Sequence, residues 1–170
     1  MYKKIFILSA ILIFSAKDLI AKDIPTIVIA PSKKPQSVST VGTSVVVLDE
    51  KFLKESNEYF LGDILSSGTT SANFFQNGGH GSTSAIQLRG LPKRYSTVYI
   101  DGVKMSDPSS VSGDFDFNHI LTSQISRVEI LKGNQSSVYG SGAIGGTINI
   151  TTKKGKPGRQ TNMMLNSGSY

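Results

Sequence analysis

The strongest constraint on this chain lies between residues 127 and 150. Arg127-Val128-Glu129-Ile130-Leu131-Lys132 reads as one strand and Thr147-Ile148-Asn149-Ile150 as another, and the loop between them packs four glycines into the seven residues from Gly140 to Gly146. Ordered glycine costs backbone entropy, so a run this dense implies positive φ, or other backbone passing where a Cβ would sit. The run also spells Gly140-Ser141-Gly142-Ala143-Ile144-Gly145, a literal G-x-G-x-x-G. A dinucleotide site needs that spacing between a strand and a helix, so that the pyrophosphate meets the helix N-terminus. Here a short, β-branched, alternating stretch follows instead. No helix starts there, and the fingerprint is a decoy.

Other routes to chemistry close in the same way. His80 and His119 are the only histidines and lack zinc-ligand spacing. Asp114-Phe115-Asp116-Phe117-Asn118 opens like a calcium loop, but His119 stands where the glycine is required and Ile125 where the bidentate glutamate belongs. Neither a G-x-S-x-G elbow nor a paired-acid arrangement can be picked out. The residues therefore argue against an enzyme, and assign no catalytic residue, metal or cofactor.

The N-terminus reads as an export signal over residues 1–21. Lys3 and Lys4 precede an apolar run of twelve residues from Ile5 to Ala16, and Ala21 is a suitable last residue before cleavage. A permanent span needs about 20 apolar residues, so the run is too short for one. Removing three lysines and one aspartate with that signal lowers the formal charge from +6 to +4. This mild excess, without a basic block or interleaved aromatics, excludes nucleic acid as the expected partner. The chain has no cysteine, so an exported domain must rely on its core or a partner.

Residues 23–35 read as a flexible arm, in which Thr26-Ile27-Val28-Ile29 sits between Pro25 and Pro31. Prolines at both borders suit an edge strand, because they cannot donate to a central ladder. Residues 43–48 predict a buried strand, followed by a short helix capped by Asp49 and a second helix over 60–65. Residues 73–84 and 106–114 read as small-residue loops, and 85–89 as a strand. Asp101-Gly102 predicts a hairpin between 97–100 and 103–105, because the pair tolerates the positive φ of a type I′ turn. A helical turn near 120–124 leads to the strands at 125–131 and 146–152. Short strands, short helices and long polar loops indicate a small α/β (α+β) domain around a mixed sheet.

Arg89, Arg127, Glu129 and Lys132 are charges set inside predicted strands. Alternation puts Arg127, Glu129 and Leu131 on one face and Val128 and Ile130 on the other. Charges enclosed there would need partners.

Several motifs in fixed order carry a family resemblance. The arm, Leu88-Arg89-Gly90, Tyr99-Ile100-Asp101-Gly102-Val103, Arg127 to Gly133, Val138 to Gly146 and Ile148-Asn149-Ile150 resemble the plug region of TonB-dependent outer-membrane receptors. The resemblance implies a cork inside a 22-stranded barrel. It divides the chain into a signal (1–21), a TonB-box arm and linker (22–40), a plug with long apical loops (41–155) and the first strand of a truncated barrel (156–170). Residues 159–170 lack a return strand, which suits a fragment, since one strand cannot close a barrel.

Partners implied by the resemblance are TonB with its inner-membrane complex, at Pro25, Thr26, Ile27, Val28 and Ile29, and the outer membrane through the barrel. A large scarce nutrient would settle on the apical loops at Gln76, Asn77, Thr83, Ala85, Val111 and Ser112. Arg89, Arg127, Glu129 and Lys132 would make plug–barrel charge contacts. Within the family the loops are most similar to those of corrinoid (vitamin B12) transporters, although Pro92 stands where a polar contact is usual and Lys132 where arginine is more typical. Ferric siderophore or haem receptors are the alternative. A secreted ligand-binding module without a barrel is the alternative of another class.

Overall fold

The computed structural model describes residues 26–56, 58–70, 72–79, 81–155 and 157–159, together with Thr161 and Met163. The expected signal, Pro25, His80 and most of the expected barrel strand lie outside the described residues. Among the described residues no helix is long and apolar enough to cross a membrane.

In chain order, β1 (Ile27–Val28) and β2 (Gln36–Ser37) form a small antiparallel ribbon, and β3 (Ser44–Leu48) leads to α1 (Glu50–Glu55) and α2 (Leu61–Ser67). β4 (Ala72–Gln76) and β5 (Ser84–Leu88) pair as a separate hairpin. Then come β6 (Ser96–Ile100), β7 (Val103–Met105), β8 (Ile125–Lys132), α3 (Ser136–Tyr139) and β9 (Gly146–Thr152). The main sheet runs β3-β8-β9-β6-β7; β6 and β9 are parallel and the other pairs antiparallel. The expected small mixed α/β domain around a mixed sheet is the one observed.

Register gives the sheet two unlike faces. Val46, Leu48, Val128, Ile130, Ile148, Ile150 and Val98 fall on one face by pairing and alternation. They pack against Leu53 of α1, Leu61, Ile64 and Leu65 of α2, and Ile86 and Leu88 of the hairpin. Each such side chain withdrawn from water contributes about 1.5–3 kcal/mol, so this side holds the domain together. On the opposite face, Arg127, Glu129, Asn149, Thr147, Thr97 and Tyr99 form a polar patchwork. A bulge between Ile125 and Arg127 switches Ile125 into the core, where it is 2% exposed. The bulged Ser126 hydroxyl donates to the carbonyls of Thr151 (3.0 Å) and Thr152 (3.2 Å).

Local chemistry explains most boundaries. Asp49 Oδ1 accepts from Phe52 N–H at 2.9 Å and starts α1. Asp101 and Gly102 have φ of 49° and 85°, the left-handed pair that a type I′ hairpin requires. The glycine run meets its own domain at close range: a Cβ on Gly146 would lie 2.3 Å from the Leu131 carbonyl and 2.8 Å from Leu88 Cδ1. A strand, β9, follows the run, as expected for a decoy.

Three expectations are corrected. Residues 72–76, read largely as loop, form β4, because Phe74 and Phe75 pair across to Ile86 and Ala85. The strand expected to include Arg89 stops at Leu88. Arg89 and Gly90 take φ of 57° and 72° in a turn closed by Leu91 N–H to the Leu88 carbonyl at 3.1 Å. The arm is seated at residues 27–30, not free: β1 pairs with β2, and Val28 and Ala30 are buried.

Candidate functional site

The polar face of the sheet carries the arm. Burial alternates along it: Val28 and Ala30 point in, while Ile27 and Ile29 are 52% and 53% exposed. Glu129, buried in the middle of β8, accepts from Ala30 N–H at 2.7 Å and from Ile29 N–H at 3.0 Å through Oε2. Its Oε1 lies 2.8 Å from Arg127 Nε, and the Arg127 guanidinium also donates to the Ile27 carbonyl. A buried carboxylate needs such compensation, and here the arm's own backbone supplies much of it.

Tyr139, presented by α3, completes the seat. Its hydroxyl donates to the Ala30 carbonyl, and its ring stacks at a tilt on Tyr99 with centroids 4.9 Å apart. Burial raises the Tyr139 pKa, which keeps the hydroxyl protonated as a donor. Lys33 Nζ sits 5.2 Å above the same ring, in cation–π range. An open cleft of about 700 Å³ runs beside the arm, lined by Ile27, Ile29, Tyr99, Asp101, Arg127 and Lys154 among others.

The four charges expected in strands separate into two pairs. Arg127 and Glu129 hold the arm. Arg89 and Lys132 sit toward the other end of β8 and line a shallow cleft with Thr43, Asn134 and Gln135. Arg89 Nη1 lies over Gly133, 3.0 Å from where a Cβ would be.

The loops expected to meet a ligand occupy two places. Gln76, Asn77, Thr83 and Ala85 lie on the β4–β5 hairpin, where Asn77 N–H donates to the Thr83 carbonyl at 3.2 Å and Gln76 Nε2 to the Gly79 carbonyl at 2.5 Å. Val111 and Ser112 are exposed at the tip of a second loop, closed on itself by Asp107. Hydrogen bonds from the Ser109 hydroxyl and backbone amide lower the Asp107 pKa. The two loops are tied near their bases, where Ser84 Oγ donates to Asp116 Oδ1 at 2.6 Å and accepts from Phe117 N–H at 3.0 Å. Among the described residues no cluster of acids and histidines could hold a metal ion.

The model of the TonB-dependent receptor plug domain matches residues 37–147. The chain belongs to the TonB-dependent receptor plug family. The plug fold also aligns with solved receptors. These include the ferric yersiniabactin uptake receptor of Yersinia pestis (27% identity, TM-score 0.51, 66% of this chain and 17% of that one). A siderophore receptor of Acinetobacter baumannii aligns with 25% identity and TM-score 0.54, over 72% and 16% of the two chains. A ferric enterobactin receptor mutant of Pseudomonas aeruginosa, in complex with enterobactin, aligns with 22% identity and TM-score 0.52, over 67% and 18%. The chain thus spans less than a fifth of each of these receptors. The family is one of outer-membrane receptors, not enzymes.

Tyr139 is the plug residue that sequence reasoning missed. An aromatic just before a glycine run, Tyr139-Gly140, was the available signal, but nothing in it names Ala30 as the acceptor. Arg127, Glu129 and Tyr139, which seat the arm, all lie within residues 127–139.

Proposed function

We propose that this chain is the gate of an outer-membrane transporter that imports a ferric siderophore, coupled to TonB through the arm at Thr26, Ile27, Val28 and Ile29, with Pro25 preceding it. One observation carries the coupling: a short strand immediately upstream of the family domain is docked through a few backbone groups and leaves Ile27 and Ile29 half exposed. Such a segment can leave its seat without unravelling the core, and can then be added as a strand to another protein.

The division into signal, arm, plug and first barrel strand belongs to the same proposal, as do the outer-membrane location and a periplasm-facing arm. Arg89 and Lys132, exposed or half-exposed at one end of the sheet, would meet carboxylates of a surrounding barrel. Gln76, Asn77, Thr83, Ala85, Val111 and Ser112 would contact the ligand from the apical side. For the ligand itself, the receptors named above support the siderophore class, and nothing in them favours a corrinoid. The fold allows either, since the loops offer small polar groups rather than a chelate-specific cage.

Two measurements on the full-length receptor test this reading. Ile27→Pro should abolish TonB capture and energised uptake, with ligand binding unchanged; normal uptake in that variant refutes the assignment of the arm. Binding of a ferric siderophore set against a corrinoid decides the ligand class, and tight binding of the corrinoid alone would reverse our assignment.

A further inference from the structure

We infer that Arg127 and Glu129 act as a surrogate partner strand on β1, so that the plug and TonB compete for the same backbone groups of the arm. The inference rests on the reading of the arm as the TonB-capture segment.

The edge pattern of β1 makes the case. Backbone groups of an antiparallel strand alternate between its two edges. The Thr26 carbonyl accepts from Val38 N–H at 2.9 Å, and Val28 pairs with Gln36, so residues 26 and 28 face β2. Ile27 and Ile29 therefore turn their backbone groups to the opposite edge, which among the described residues has no strand beside it. A strand added there would donate to the Ile27 carbonyl and accept from Ile29 N–H.

Both positions are already taken by side chains of complementary kind. A guanidinium offers only donors and an ionised carboxylate only acceptors. Arg127 donates to the Ile27 carbonyl, and Glu129 accepts from Ile29 N–H at 3.0 Å and Ala30 N–H at 2.7 Å. The two residues are two apart on β8, hence on one face, and lie as an ion pair with Arg127 Nε 2.8 Å from Glu129 Oε1. Together they reproduce the hydrogen-bonding face of one strand residue.

The latch hides backbone but not side chains. Glu129 is 4% exposed, whereas Ile27 and Ile29 are half exposed. An approaching partner can touch the two isoleucines in the resting state, but can pair with the strand only after both charged groups withdraw. The apparent affinity for the partner is then the intrinsic affinity reduced by the fraction of arms that are unlatched. A plug with its arm latched is protected from futile pulling.

The test uses the full-length receptor and the purified periplasmic domain of TonB. Amide hydrogen exchange at Ile29 and Ala30 reports unlatching, exchange at Ile148 reports the integrity of the core, and titration reports binding. Glu129→Ala should speed exchange at Ile29 and Ala30 by about tenfold or more and tighten TonB binding by a similar factor, with Ile148 unchanged. Glu129→Gln, which keeps one acceptor, should fall between Ala and the parent. If Glu129→Ala loses Ile148 protection, Arg127→Gln serves instead and should tighten binding by freeing the Ile27 carbonyl. Freed amides with unchanged TonB affinity overturn the competition, as do amides that stay protected in Glu129→Ala. Freed amides with no TonB binding to any form overturn the reading of the arm itself, and the exchange data separate that failure from the former.

Discussion

The two faces of the central sheet are held by different physics. On one, Val128, Ile130, Ile148 and Ile150 meet α1, α2 and the β4–β5 hairpin in a contiguous apolar core. On the other, the arm is fixed by hydrogen bonds from Ile29 and Ala30 to Glu129, from Arg127 to Ile27, and from Tyr139 to Ala30. Apolar burial is non-directional and accumulates with area, so it persists through small displacements. Hydrogen bonds to charged groups are directional and few, so they are lost together when the segment tilts. The first face suits a permanent body. The second suits an attachment that can be released, as the proposed coupling requires.

The largest break in that comparison comes from the core. Ile148→Ala should lower the global unfolding free energy by about 2–5 kcal/mol, because Ile148 is fully buried and its neighbours on β6 and β8 cannot collapse freely onto a vacant side chain. Denaturant unfolding measures it. Exchange at Ile29 and Ala30, in contrast, should change little under native conditions, because their protection comes from the other face. Equal acceleration of arm and core amides would mean that the two faces open as one unit.

A smaller effect is expected from the arm side. Tyr139→Phe leaves the ring stacked on Tyr99 but strands the buried Ala30 carbonyl, which costs about 1–3 kcal/mol. The loss should appear as faster exchange at Ile29 and Ala30, with global stability changed less than by Ile148→Ala. The same contact gives an alkaline signature. Burial raises the Tyr139 pKa, so the protonated form is favoured in the folded protein. Its contribution is complete below the ordinary tyrosine value near 10 and is lost as pH rises through the raised value. Tyr139→Phe should remove that alkaline step.

Much of this division was legible in the sequence. The alternation in Arg127-Val128-Glu129-Ile130 separated the faces, Asp49 announced a helix cap, and Asp101-Gly102 fixed the hairpin. The glycine decoy was resolved by the β-branched residues after it. Four features were hidden for physical reasons. β4 was read mostly as loop because adjacent Phe74 and Phe75 point to opposite faces, and hairpin pairing rather than a clear pattern makes it a strand. α3 is four residues long and so too short to display a helical period. Arg89 carries a left-handed φ that its residue type does not suggest. Glu129 clearly needed compensation, but a partner built from backbone amides about a hundred residues away leaves no mark in the charge pattern. Residue chemistry shows that a buried charge must be paired; only the fold shows that it is paired with the arm.

The finest probe sits where the two faces meet at the end of the sheet. The Asp101 carboxylate accepts from Thr152 Oγ1 at 2.6 Å and Thr152 N–H at 3.0 Å, joining the β6–β7 turn to the end of β9 beside the arm's cleft. The side-chain bond from Thr152, then its backbone bond, lower the Asp101 pKa below its ordinary 3.8. A carboxyl depressed on folding contributes stability that is present above its unfolded value and lost as pH falls through the depressed one. Because Asp101 is exposed to solvent, the effect should be local and slight, well below those of Ile148→Ala and Tyr139→Phe. Thr152 amide chemical shift and exchange, followed downward from pH 5, should show a single acid step that Asp101→Asn removes, while Ile29 and Ala30 exchange stays level across it. If the arm amides loosen in the same step, the turn is part of the latch, and the boundary between the permanent face and the releasable one must be moved to include β9's last residues.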